Sequence, residues 1–438
     1  MQRLSVCIDG FNLALPKGTG VATYGRSLAK TLYAAGYDIS LLYGLDIPAS
    51  KNEILREVLF FNALGGNEQK SERSGNPILN KTKKIINSFN WKAINIPLSG
   101  HVETRGMGHW LPPHHQLYNL RNLFKRAHSY YKRTGRFAHI TLPSPPDIMH
   151  WTYPLPIRVK NSINLYTIHD LVPLHLPQTT LDNKTYYFNL IKKIVLSGDP
   201  IVTVSNASKN EIISFYPKSA NNIYNTYQTV DQDLSLMTPE ENIDIEKLFS
   251  VTPLSYFMFF GSLEPKKNIG RIIEAFLSSS TNKKLVIVGA MGWKNENELR
   301  FLKHGIQTGR ILYIDYLPSQ MLFALLRNAY ALLFPSIAEG FGLPVLEAFK
   351  CGTPVITSAE GGLSDVAKGG GLIVDPYSIP SIVKGINSLD QNEALHMELQ
   401  KKGAQRFTLF SQEKYTKRLQ EVYCAMMVKY KPTQKITV

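Results

Sequence analysis

The sequence predicts an α/β protein built from two doubly wound domains that face each other across a cleft. Three observations carry this expectation. The chain has 438 residues, more than one ordinary hydrophobic core supports. Short apolar runs alternate with segments of helical period in both halves, the pattern of parallel sheets covered by helices. Polar and glycine-rich residues recur just after the apolar runs, where open α/β sheets bind ligands.

In the first half, Leu4 to Ile8 is an apolar strand closed by the turn Asp9-Gly10. Pro16-Lys17-Gly18-Thr19-Gly20 follows, and then a helix with Val21, Tyr24, Leu28, Ala29 and Leu32 at helical spacing. Gly36 ends the helix and Ile39 to Tyr43 is the next strand, which completes a strand–helix–strand unit. Residues 50–140 carry no clear period and are expected to mix helices and loops. Ile148 to Trp151, Leu165 to Ile168 and Ile201 to Val204 read as strands. The second of these ends at His169-Asp170; the third leads into a helix that Ser205 caps. The polar, acidic stretch Asp231 to Glu246 reads as the connection between a first domain at 1–235 and a second at 236–411.

The second half alternates more cleanly. Strands are expected at Phe257 to Phe260, Leu285 to Val288, Ile311 to Ile314, Ala331 to Phe334, Pro354 to Thr357 and Gly371 to Val374. Helices are expected at Asn268 to Leu277, Glu298 to His304 and Pro318 to Asn328, with a last one from Gln412 to Met427.

Composition narrows the function classes. Hydrophobic residues make up 44% and charged residues 19%, as in a soluble globular protein. The three cysteines, Cys7, Cys351 and Cys424, lack Cys-x-x-Cys spacing, so neither a zinc site nor a disulfide framework is indicated, which fits a reducing cytosol. No run of apolar residues is long enough for a membrane span, and the N-terminus reads as a strand and not as a signal peptide. The net charge of +15 is concentrated: residues 51–140 hold 15 Lys and Arg against 5 Asp and Glu. That segment is read either as a solvated insertion or as a surface for an anionic membrane or a pyrophosphate-bearing acceptor. No nucleic-acid motif accompanies it. His109, His114 and His115 within it lack metal-site spacing and read as surface or groove lining. No Gly-x-Gly-x-x-Gly follows the first strand, which speaks against a dinucleotide oxidoreductase.

The most informative stretch is Glu339-Gly340-Phe341-Gly342-Leu343-Pro344-Val345-Leu346-Glu347. Two carboxylates flank a Gly-x-Gly turn and a proline suited to a helix start. The free amides and positive dipole end of that helix would face the turn and favour an anion. Amides for phosphate and carboxylates for hydroxyls suit a sugar nucleotide. Taken alone, Glu347 is a first-turn carboxylate that complements the dipole and Glu339 a solvated loop residue; the motif reverses both readings.

With these residues in view, the chain resembles glycosyltransferase family 4, retaining enzymes of the GT-B fold, in which two Rossmann-like domains face a cleft. The glutamate pair carries the resemblance, together with Phe260-Gly261-Ser262-Leu263-Glu264-Pro265-Lys266-Lys267-Asn268. Gly18-Thr19-Gly20, His169-Asp170, Val204-Ser205-x-x-Ser208-Lys209 and Gly369-Gly370-Gly371-Leu372 are weaker elements in the right order. The resemblance implies that Glu339 lies near the transferred sugar, Glu347 holds the nucleotide ribose and Lys267 holds the diphosphate. Ser262 stands where the family has arginine, and Lys266 would supply the missing charge. It also implies that the last helix crosses back to the first domain and that retention occurs by front-face substitution.

On this reading Glu339, Lys267 and His169 form the catalytic set. Lys266, Ser262, Gly340, Phe341, Gly342, Leu343 and Glu347 hold the nucleotide sugar. Gly18, Thr19, Gly20 and Asp170 form an acceptor or phosphate loop. His169 also reads as a satisfied core histidine, Asp170 as a turn former or helix cap, and the glycines as a tight turn. Cations and amides around the diphosphate remove the need for a metal, so no metal or other cofactor is expected. The expected partners are a nucleotide sugar and a glycan or lipid-linked glycan at the inner membrane surface, with no nucleic acid. GDP-mannose is the donor the resemblance favours, although no residue distinguishes guanine from uracil. A nucleotide-sugar epimerase and a non-catalytic binding protein are the alternatives.

Overall fold

A computed structural model describes residues 3–15, 20–48, 50–66, 91–230, 243–292 and 300–430. The first domain contains β1 (Ser5–Asp9), β2 (Asp38–Tyr43), β3 (Ile94–Ile96), β4 (Gln116–Asn119) and β5 (Ala138–Ile140). It continues through β6 (Ile148–Trp151), β7 (Ile157–Val159), β8 (Ile163–Thr167), β9 (Ile201–Thr203) and β10 (Ile223–Asn225). Among the described residues, eight of these form one sheet in the order β10-β9-β8-β6-β1-β2-β4-β3, and β5 and β7 pair separately. All the ladders are parallel except β3 with β4.

The second domain contains β11 (Tyr256–Phe260), β12 (Lys284–Val288), β13 (Ile311–Ile314), β14 (Ala331–Phe334), β15 (Val355–Thr357) and β16 (Leu372–Ile373). They lie in the order β13-β12-β11-β14-β15-β16, all parallel. Numbered within the domain this is 3-2-1-4-5-6, the Rossmann order. The order reverses between β11 and β14, so the loops after Phe260 and Phe334 border a crevice. Those loops carry the two lysines and Glu339. In the first domain the reversal falls between β1 and β6, after Asp9 and Trp151.

Strands buried on both faces read as continuous apolar runs, which is why the second sheet was legible. All five residues of β11 are buried. The Ile269–Ser278 helix packs Ile269, Ile272, Ile273 and Phe276 inward, a 3–4 spacing on one face.

The expected mix of helices and loops over 50–140 holds for its helices but missed its strands. The segment contains the Glu53–Leu64 and Leu123–Thr134 helices and strands β3, β4 and β5. β4, Gln-Leu-Tyr-Asn, lies inside the large sheet. Four residues are too few to show a period, and its burial comes from pairing with β2 at Ser40 to Tyr43. The Lys184–Leu196 helix was also absent from the sequence reading. Most of the expected link Asp231 to Glu246, and the start of the expected Glu298 helix, lie outside the described residues; the helix there is Leu302–Gln307.

The Gln412–Tyr430 helix packs on the first domain. Its Tyr423 hydroxyl lies 2.6 Å from His150 Nδ1 in β6. His150 Nε2 in turn meets Thr167 Oγ1 at 2.9 Å, and Tyr24 Oη meets the same hydroxyl at 3.0 Å. Burial pushes the His150 pKa down to about 3, so this core histidine is neutral.

Candidate active site

The turn from Glu339 to Pro344 is built from close backbone contacts. The Leu343–Cys351 helix has Gly342 at its N-cap with φ 112°, a left-handed conformation that favours glycine, and Pro344 lies in its first turn. The helix begins one residue earlier than expected, at Leu343, so Glu347 sits in its second turn and not its first. Behind the turn, Gly362 N–H donates to the Glu339 carbonyl at 2.7 Å. A Cβ on Gly362 would come within 2.3 Å of the Gly340 carbonyl oxygen, so the two loops pack backbone on backbone.

The two lysines occupy a short 3-10 turn, Pro265–Lys267, after β11. Asn268 anchors it: this buried residue takes a left-handed φ of 63° and donates to the carbonyls of Pro335 at 3.0 Å and Pro376 at 2.7 Å. The anchoring ties the lysine turn to the loop that carries Glu339. Lys267 Nζ then meets Glu339 Oε1 at 2.5 Å, with only 13% and 10% of the two side chains exposed. The same ammonium sits 5.1 Å from the centre of the Phe334 ring. Burial works against the Lys266 ammonium, but Asp170, Glu339 and Glu264 outweigh it and hold its pKa above the usual lysine value. Glu347 receives no hydrogen bond from a described residue. Burial raises its carboxyl to about 7, opposed by Lys350.

The first domain meets this turn directly. A Cβ on Gly340 would lie 2.8 Å from the His169 carbonyl oxygen and 3.0 Å from Asp170 Oδ2. His169 Nε2 lies 2.9 Å from the Thr152 carbonyl oxygen, so Nε2 carries the proton and Nδ1 is left as the acceptor. Burial lowers its pKa, against that hydrogen bond and Asp170. Tyr24 packs edge-on at 4.9 Å and fixes the ring. Thr152 N–H donates to Asp9, so β1, β6 and β8 are linked through Asp9, Thr152 and His169 at their carboxyl ends. Burial raises the Asp9 carboxyl to about 6, against hydrogen bonds from Thr152 and Phe11. Asp9 and Asn268 are the residues the sequence reading did not place in the site. An aspartate closing the first strand before a glycine was the available signal for Asp9.

The structure therefore brings together Glu339, Lys267, Lys266, Gly340, His169 and Asp170. Asp170 also accepts from Val172 N–H at 3.0 Å, the turn-forming role considered for it. Ser205 accepts from Ser208 N–H and caps the Asn206–Phe215 helix, as read from the sequence. Ser262 is exposed and bonds Glu264 at 2.9 Å. The Phe341 ring is buried among Tyr227 and Phe410 and so serves packing. Leu343 is the first helical residue and packs partly into the core. Gly18 and Thr19 lie outside the described residues; Gly20 is exposed at the start of its helix. His115 accepts from Ile39 N–H and stacks on Tyr33, and His114 bonds the Pro112 carbonyl, so both serve the first domain's structure. Among the described residues no group of three His, Cys, Asp or Glu is arranged to hold a metal ion.

A Rossmann-ordered parallel sheet and a second, mostly parallel sheet form the two-domain arrangement of the GT-B fold. Residues 240–406 match the sequence model of the family described as glycosyl transferases group 1. The chain is a glycosyltransferase, and its second half is similar to that family's domain. It is 28% identical over 267 residues to O-antigen chain mannosyltransferase B of Escherichia coli, covering 60% of this chain and 70% of that protein. It is 24% identical over 242 residues to the serotype-specific mannosyltransferase WbdA of Escherichia coli, covering 53% of this chain and only 29% of that longer protein. Among solved structures, the sucrose-phosphate synthase of Thermosynechococcus elongatus shares the fold with a TM-score of 0.65. That match covers 98% of this chain and 100% of the other at 17% identity.

Proposed function

We propose that the chain transfers mannose from GDP-mannose, with retention of configuration, to a glycan or lipid-linked glycan in bacterial O-antigen or related polysaccharide assembly. The observation that supports donor binding here is the buried Lys267–Glu339 pair set beside the Gly342 helix start at the switch point. The mannosyl choice rests on the relatives named as mannosyltransferases.

In this reaction the bond between the anomeric carbon and the diphosphate oxygen breaks. A bond from the acceptor oxygen to the same carbon forms, and the acceptor proton passes to the departing phosphate oxygen. Negative charge accumulates on the diphosphate. Lys267, Lys266 and the amides opening the Leu343–Cys351 helix stabilise it without reorganising, because their positions are held by backbone contacts and by Asn268. Glu339 orients Lys267 before the donor arrives and lies on the sugar side. Glu347, which receives no hydrogen bond from a described residue, takes the ribose hydroxyls. His169, neutral with Nδ1 free to accept, contacts the sugar or the acceptor hydroxyl. The basic segment brings the enzyme to an anionic membrane face on the cytoplasmic side, where a lipid-linked acceptor lies. Among the described residues no helix is long and apolar enough to cross a membrane.

Thermal shift and calorimetry against GDP, UDP, ADP and their sugar conjugates test the donor. A selective shift with GDP and GDP-mannose, and an α-mannoside by NMR of the product, are expected. A shift with UDP compounds alone overturns the mannose reading and leaves the fold and site intact.

A further inference from the structure

The Asn206–Phe215 helix of the first domain has an unusual N-terminus. A helix leaves its first N–H groups without intrahelical acceptors. Ser205 Oγ accepts from Ser208 N–H at 3.0 Å. The Asn206 and Ala207 amides instead reach the other domain: both donate to Asp365 Oδ2, at 2.6 and 3.1 Å. A carboxylate from the second domain thus caps a helix of the first, where the helix dipole favours negative charge. Next to it, Ser208 Oγ donates to the His169 carbonyl at 2.8 Å and lies 3.3 Å from the Gly340 carbonyl.

Asp365 is rigidly tied to the donor turn. It sits on the Leu363–Val366 helix, whose N-cap Gly362 donates to the Glu339 carbonyl and packs against Gly340 and Phe341. Arg406 holds that helix from behind, its guanidinium donating to the Asp365 and Val366 carbonyls. Moving Asp365 therefore moves Glu339, and moving the Asn206 amide moves the strand ends that carry His169.

We propose that Asp365 is a positioning residue that clasps the two domains in the register needed for transfer, setting His169 against the Glu339–Gly340 turn through the capped helix. It touches neither substrate; it acts through the helix it caps. The inference goes beyond the donor assignment and uses only the transfer reaction, which needs both domains on one substrate pair.

The test compares wild type with Asp365→Ala, Asp365→Glu and Ser208→Ala. A spin-label pair, one label on each domain's outer surface, reports interdomain distance without substrate. Asp365→Ala should broaden and lengthen the distance distribution. It should lower kcat at least tenfold, while GDP affinity by calorimetry stays within about threefold and the unfolding midpoint is retained. Asp365→Glu should restore most of both, and Ser208→Ala should shift them in the same direction by less. An unchanged distance distribution in Asp365→Ala overturns the clasp, whatever the donor is. So does a wild-type kcat, or a loss of GDP affinity equal to the loss of kcat. If the distance lengthens but the wild type turns over no GDP-mannose, the clasp stands and the donor assignment falls.

Discussion

Glu347 is a half-buried carboxyl with no hydrogen-bond donor among the described residues, and burial lifts its pKa from 4.5 to about 7. The native state therefore binds more protons than the unfolded chain between those values, and ligand-free stability falls as pH rises through that window. Melting curves from pH 5 to 8 should show this slope in the wild type and a shallower one in Glu347→Gln; equal slopes would exclude an unpartnered Glu347. Lys267 has the opposite character, since its charge is already partnered at 2.5 Å. On the proposed mechanism, Lys267→Ala removes a fixed cation from the leaving diphosphate and takes the ion-pair partner from the buried Glu339. Turnover should fall about 100-fold or more, the scale seen when one preorganised donor is deleted from a charged transition state. Steady-state kinetics check this, and near-normal turnover would remove Lys267 from the leaving-group role. Lys267 and Glu339 were both visible as motif letters. The ion pair between them was not, because it joins positions 72 residues apart.

At the scale of elements, the site is a set of loop ends locked by missing side chains. Gly362→Ala would place a methyl 2.3 Å from the Gly340 oxygen and 2.5 Å from Phe341 Cα, both backbone atoms that cannot turn aside. Overpacking of this kind costs about 1–3 kcal/mol, and here the strain falls on the turn at Gly340 and Phe341. Urea unfolding of Gly362→Ala should show that loss together with weaker nucleotide binding; an unperturbed variant would mean that the two loops do not touch. The helix after Gly342 was legible because a left-handed glycine and a following proline are local signals. β4 was not, because a four-residue strand becomes a strand only by pairing with β2.

In the whole molecule, the last helix is tied back to the first domain through Tyr423 and His150, 273 residues apart. Tyr423→Phe leaves a buried imidazole nitrogen without its partner. It should cost about 1–3 kcal/mol of first-domain stability, measured by denaturant unfolding, with donor affinity retained. An equal stability would mean that water replaces the hydroxyl. The alternation of apolar strands and amphipathic helices determined two parallel α/β domains, since burial on both faces of a strand and on one face of a helix is written in local periodicity. The turn chemistry around Gly342 and the lysine turn after β11 likewise followed from nearby residues. Tertiary structure alone decided that the lysine turn and Glu339 share one switch point, that Phe341 is buried among aromatic rings, and that Asp365 reaches the Asn206 helix 159 residues away. Periodicity states which face of an element is buried. It carries no information about which distant surface buries it, and that pairing is where the site is assembled.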